Sequence, residues 1–396
     1  MDIGGGVTCC SEMKSSYSFD VAPPSSVRSH KHDTDELKNN YINHDSHHCA
    51  HSNGIQDDVS SGSASRRKWA LLPSIVPTIS REEVPVLFRE EHVKHGFRMI
   101  HQPWSYYICS IFQLHNESMN VWTHLVASVI LTYKLVEFSS QIDFLGDCHS
   151  WPMLAGLLSS IILYAFSSGA HCLQSKSELV HYVTFMFDYT GIGLYGLGSV
   201  VMHHWYCSEA SFYEVVKNYY LPAGILLAFL TTYCCTVAKM YYTRPYPPMR
   251  KIWQIVPVAG IYAVLVSPII HRLVLCYVYG EVCTENLTYH LYHMFWFFLS
   301  GLFFASDIPQ CWLPGRFDHF FHSHQLFHFA IMMSSLHQMD ANFADLQSRA
   351  FIFRARSSPT FLSSFGPLLL VLAADLGSIL YFTGHIKTKM VKKKSL

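Results

Sequence analysis

The sequence predicts an all-α polytopic membrane protein: a helical bundle of seven spans with an eighth after them, preceded by a disordered polar tail. Three observations carry this reading. Half of the 396 residues are apolar, 15% are aromatic and only 14% are charged, a balance unlike that of ordinary soluble domains. Apolar runs of about twenty residues recur from residue 120 onward, each long enough to cross a hydrocarbon core of roughly 30 Å. Residues 1–80, by contrast, are rich in Ser, Asp, Asn, His and Gly and show no periodicity, the composition of a segment unable to bury a core.

That tail has neither the basic start nor the apolar stretch of a cleavable signal. Its histidines (His30, His32, His44, His47, His48 and His51) are read as incidental, because an unstructured segment cannot fix ligand geometry. Residues 81–119 form a juxtamembrane segment that opens REEVPVLFREEHVKHGFRMIHQPW. It mixes charges with aromatics at roughly helical spacing and never runs apolar for long, so it is expected to lie along the interface.

The bundle occupies residues 120–384, with spans expected at 120–138, 152–172, 179–205, 219–241, 252–273, 287–305, 320–339 and 361–384. The eighth carries Asp375 in its middle. A basic tail, 385–396, follows. The twelve cysteines show no repeating spacing, so neither a zinc-finger pattern nor a disulfide framework is expected. Those inside apolar runs, such as Cys234 and Cys235, serve as small hydrophobes.

Basic residues orient the bundle. With both termini cytoplasmic, eleven lysines and arginines fall in the inner loops and tail and five outside, as the positive-inside rule requires. The sequon Asn286-Leu-Thr288 then faces outward, and Asn116-Glu-Ser118 inward. Depth follows from orientation. Ser167 and His171 sit one turn apart at the inner end of the second span. Asp188 lies about 13 Å into the third span. His324 and His328 share a face on the opening turns of the seventh. All of these ionisable groups collect in the inner half of the bilayer, where such residues are costly and mark function. The neighbours His322 and His337 point about 200° and 180° away from the pair, whereas His181 lies on the same side as Asp188. Three imidazoles with a carboxylate or water make a common zinc shell; a hydrogen-bonded cluster without metal would use the same residues.

Several stretches together are highly specific: FREEHVKHGFR, Asn116-Glu-Ser-Met-Asn120-Val-Trp-Thr-His124, Ser167 with His171, LQSKSELVHY, Asp188-Tyr-Thr-Gly-Ile, RPYPPMRKIWQIVP, and PGRFD followed by His324-Gln-Leu-Phe-His328. By these motifs the chain, from about Val84 to its end, resembles the progestin and adipoQ receptor family and its alpha and beta membrane progestin receptor branch. The resemblance implies a Zn2+ ion held by His171, His324 and His328, with Asp188 reaching it through a water and Ser167 nearby. It also implies a plasma-membrane receptor for a progestin steroid. One departure stands out: the family usually has Gly-His-x-His-Gln where this chain has Phe321 in place of the Gly, which should alter packing at the mouth and leave the site intact.

A wider superfamily that includes alkaline ceramidases shares the Ser, His, Asp and paired His pattern. It implies an alternative, zinc-dependent hydrolysis of lipid amides, with Asp188 as acid and base and Ser167 steadying the oxyanion. A rhodopsin-like receptor is excluded by the cytoplasmic amino terminus, the eight spans and the absence of Asp-Arg-Tyr and Asn-Pro-x-x-Tyr motifs. The basic loop at 244–251 and the KTKMVKKK tail offer a surface for G protein coupling, or simply for anionic membrane lipids; no nucleic-acid partner is expected. Glycosylation mapping checks the orientation: Asn286 should carry glycan and Asn116 none, and the reverse would overturn the depth argument.

Overall fold

The computed structural model describes residues 76–281 and 283–395. The tail reading of residues 1–75, with its histidines, lies outside the described residues. Eight long helices stand where eight spans were expected: α1 Ser118–Ser139, α2 Trp151–Leu173, α3 Glu178–Met202, α4 Tyr220–Tyr241, α5 Pro248–Tyr279, α6 Asn286–Ser306, α7 Ser323–Ser348 and α8 Gly366–Lys394. Among the described residues, extended pairing is confined to an isolated bridge between Ile79 and Phe97.

Successive helices pack on one another, and α7 returns to α1, so the first seven close a ring. Helix α8 lies outside it against α3 and α4. Helix α3 is the hub, touching α2, α4, α5 and α8. Its run Gly191-Ile-Gly193-Leu-Tyr-Gly196-Leu-Gly198 permits this, because without large lipid-excluding forces helices approach through small residues. A Cβ at Gly191 would stand 2.9 Å from Leu163 Cα, and one at Gly193 2.8 Å from the Ala228 carbonyl oxygen. The third span ends sooner than expected, since residues 203–207 widen into a π-turn after α3.

Local chemistry sets the ends. Ser177 caps α3 by accepting the Val180 N–H at 3.3 Å. Gly280, at φ +70°, ends α5 in the left-handed conformation that lacks a Cβ penalty. The reversal brings Cys276 and Cys283 within 4.8 Å, Cα to Cα, and they form a disulfide. One bridge is not a framework, and the sequence reading did not find it: a pair seven residues apart shows no framework spacing, and the glycine turn brings the two together.

The juxtamembrane segment is mostly irregular, with 3-10 turns at Val86–Phe88 and Ser110–Phe112 and one short helix, Trp104–Cys109. It folds onto one end of the bundle and anchors there through buried Arg98, whose Nη1 donates to the Cys172 carbonyl and Nη2 to the His171 carbonyl, both at 2.6 Å. These are the unpaired carbonyls at the end of α2, where a cation also suits the helix dipole. The segment is pinned again where Asp318 accepts the Lys94 and His95 N–H groups at 2.9 Å.

Phe321 precedes the cap of α7 at φ +65°, with its ring two-thirds exposed. The glycine usual in the family would adopt this conformation without the cost of roughly 1 kcal/mol that a side chain incurs. Phe321→Gly should therefore raise stability by about 1 kcal/mol, read as a higher melting temperature in detergent; a lower one would show that the exposed ring is needed.

Candidate metal centre

The ring closure brings α2 and α7 together at the end covered by the amino-terminal segment. His171, on the last turn of α2, meets His324 and His328, on the first two turns of α7. One nitrogen from each of the three lies within 4.8 Å of the others. Their ring centroids are 5.1, 4.9 and 4.6 Å apart for the pairs 171–324, 171–328 and 324–328. Nε2 of His171 and Nε2 of His324 face each other at 3.3 Å.

The opposite ring nitrogens explain this orientation. Nδ1 of His171 stands 2.7 Å from Oε2 of Glu117, and Nδ1 of His328 stands 3.3 Å from the Asn120 carbonyl. An imidazole that donates from Nδ1 presents an unprotonated Nε2 to its other side, the arrangement that metal-bound histidines adopt. Glu117 also accepts from the Asn120 side chain at 2.7 Å. Burial disfavours the charged carboxylate, but the neighbouring His171 and the hydrogen bonds from His171 and Asn120 outweigh this and hold its pKa well below the usual range. His124 completes the wall, its ring stacked on that of His328 with centroids 3.6 Å apart.

The structure thus gathers three of the residues read from sequence into one cluster. Asp188 stands outside that set, buried on α3, as Ser167 is on α2. His181 reaches no hydrogen-bond partner with either ring nitrogen and instead packs against Phe88 and Phe185. His322 caps α7 with its ring near the Asn116 carbonyl, and His337 lies against Tyr292; neither joins the cluster. The residues that sequence reasoning passed over are Glu117, Asn120, His124 and Arg98. A signal for the first three existed: at spacings of three and four residues they share one face of α1. Chemically, three convergent imidazoles, His171 among them oriented by the buried Glu117 carboxylate, suit a borderline-soft divalent cation such as Zn2+.

Comparison with known proteins places the chain in a family. The family model described as Haemolysin-III related matches residues 112–339. The chain is 37% identical to membrane progestin receptor beta of Sus scrofa over 332 residues, which is 82% of this chain and 92% of that protein. It is 37% identical to the Homo sapiens receptor of the same name over 328 residues, with the same coverage. Membrane progestin receptor alpha of Cynoscion nebulosus is 38% identical over 280 residues, 70% of this chain and 78% of that one. With a match across more than half of its length and relatives aligned over most of theirs, the chain belongs to the haemolysin-III related family of helical membrane proteins, alongside the membrane progestin receptors.

Proposed function

We propose that this protein is a membrane receptor for a progestin, built around a Zn2+ ion held by His171, His324 and His328, with Asp188 engaging it through water. The convergence of three imidazoles under Glu117 carries the metal reading. The steroid reading rests on the names of relatives aligned with most of this chain. In this reading the bound ion ties α2 to α7 across the ring. Arg98 and Glu117 hold those helix ends in register, so a steroid entering between helices shifts a joint whose parts lie on α1, α2 and α7 together. The chain is further read as residing in the plasma membrane with both termini cytoplasmic. Residues 1–80 are its polar tail, 81–119 its juxtamembrane segment, 120–384 its bundle and 385–396 its basic tail. The basic residues of the 244–251 loop and of that tail face anionic lipid or a G protein.

A second reading, hydrolysis of a lipid amide, is favoured by one observation: Asp188 and Ser167 are both buried, on the helices α3 and α2 that pack on one another. A zinc ion supplies an acidified water and polarises a carbonyl. Asp188 would take the proton from the water and return it to the leaving amine, and Ser167 would donate to the carbonyl oxygen as negative charge develops there. A receptor needs neither act.

Two experiments separate these readings. Purified protein should carry near-stoichiometric zinc at the three-histidine site and bind progesterone. The His324→Ala, His328→Ala double variant should lose that zinc, and equal zinc in both proteins would end the ligand assignment. Ceramide turnover by the parent that vanishes in the variant would favour the hydrolase. Glu117→Gln should leave the fold intact and weaken zinc binding about 10- to 100-fold, measured by competition with a chelator; unchanged affinity would mean that Glu117 does not orient His171.

A further inference from the structure

At the opposite end of the bundle lies a second buried cluster that the reading above does not use. His203 and Cys207, on the π-turn after α3, meet His290 on the first turns of α6, with ligand atoms within 4.8 Å of one another. All three side chains are completely buried. The π-turn matters here, because widening the helix changes the angular spacing after Met202, and such bulges recur at functional sites.

Both imidazoles are already held in place. Nδ1 of His203 faces the Leu265 carbonyl at 2.6 Å, which makes it the protonated nitrogen, and the lone pair of Nε2 faces the Gln338 side-chain amide at 3.4 Å, a contact that a metal would replace. Nε2 of His290 stands 3.0 Å from Oδ2 of Asp345 and 3.8 Å from the Cys207 sulfur, while its Nδ1 is buried without any partner. A carboxylate on an imidazole is a usual means of orienting a metal-binding histidine. An unpartnered buried nitrogen otherwise costs free energy. Asp345 is itself held by Arg272, at 2.5 and 3.3 Å, so its charge is set by a fixed network. The Cys207 sulfur lies 3.5 Å from the Asn342 side-chain oxygen. His293 flanks both other rings at 5.7 and 5.5 Å, and its Nε2 also has no partner.

We propose that His203, Cys207 and His290 form a second metal site, for a thiophilic divalent cation of the Zn2+ class, with His293 or Asn342 available as a fourth donor. Two imidazoles and one thiolate match zinc and disfavour Mg2+ or Ca2+, which prefer oxygen. On binding, the Cys207 S–H proton is released and the sulfur donates its electron pair to the metal; nothing is oxidised or reduced. The ion would fasten α3 to α6, neighbours that are not adjacent around the ring, at the end away from His171.

The two sites differ in donors, and that distinguishes them experimentally. The His171 set contains only nitrogen and oxygen, whereas the second contains sulfur. The full-length protein is purified in detergent, stripped of metal and reloaded with Co2+. We expect about two metal equivalents per chain and a near-ultraviolet sulfur-to-cobalt charge-transfer band. In the His324→Ala, His328→Ala protein that band should persist with about one equivalent. In Cys207→Ser it should vanish with loss of about one equivalent. The wild-type spectrum does not depend on any variant folding. A wild-type protein with a single equivalent and no sulfur band overturns the proposal, as does a band that survives Cys207→Ser.

Discussion

A single 2.7 Å contact, between Glu117 and Nδ1 of His171, governs the three-histidine cluster. It connects the start of α1 to the end of α2, settles which nitrogen of His171 turns toward α7, and places a charge where the low dielectric gives it greatest effect. Burial alone would neutralise that carboxyl. The polar groups collected around it keep it ionised instead, and those same groups belong to Asn120 and to the backbone that Arg98 clamps. The amino-terminal segment, the first two helices and the histidines are therefore parts of one hydrogen-bonded unit.

Buried polar residues also sit on the helices least like membrane spans by composition. Five of the eight long helices reach a mean hydropathy of 1.2 or more over eighteen residues. The other three are α3, α6 and α7, and they hold Asp188, His290, His324 and Asp345. A polar helix is tolerated inside a membrane when neighbours satisfy its groups. In this fold the satisfaction is mutual: Tyr195 on α3 donates to Gln338 on α7 at 2.8 Å, and Tyr164 on α2 shares a 2.6 Å bond with Ser335.

The positions of the eight long helices were legible in the sequence because apolar run length follows bilayer thickness. His171, His324 and His328 were legible because helical phase and depth could be counted. Three things escaped. The Cys276–Cys283 bridge depends on a glycine turn between two helices. The juxtamembrane segment followed its tertiary contacts rather than its helical spacing, through Arg98 and Asp318. The cluster at His203 hides behind a π-turn that breaks the 100° count on which phase arguments rest. The role of Phe321 was half visible: its departure from the family pattern showed in sequence, and its φ of +65° accounts for the glycine elsewhere.

Ring closure also bears on how the protein is made. The histidine cluster joins residues near the beginning of the bundle to residues near its end. Asn120 and His328 are 208 positions apart, and Lys134 meets Asp340 across 206. During synthesis α1 leaves the ribosome long before α7, carrying Glu117, Asn120, His124 and Lys134 toward lipid with their partners not yet made. Contacts of such separation form late. The histidine cluster is thus a check on completion: it comes together only once α7 has joined α1 and α2, and a chain halted before residue 328 lacks the imidazole that closes it.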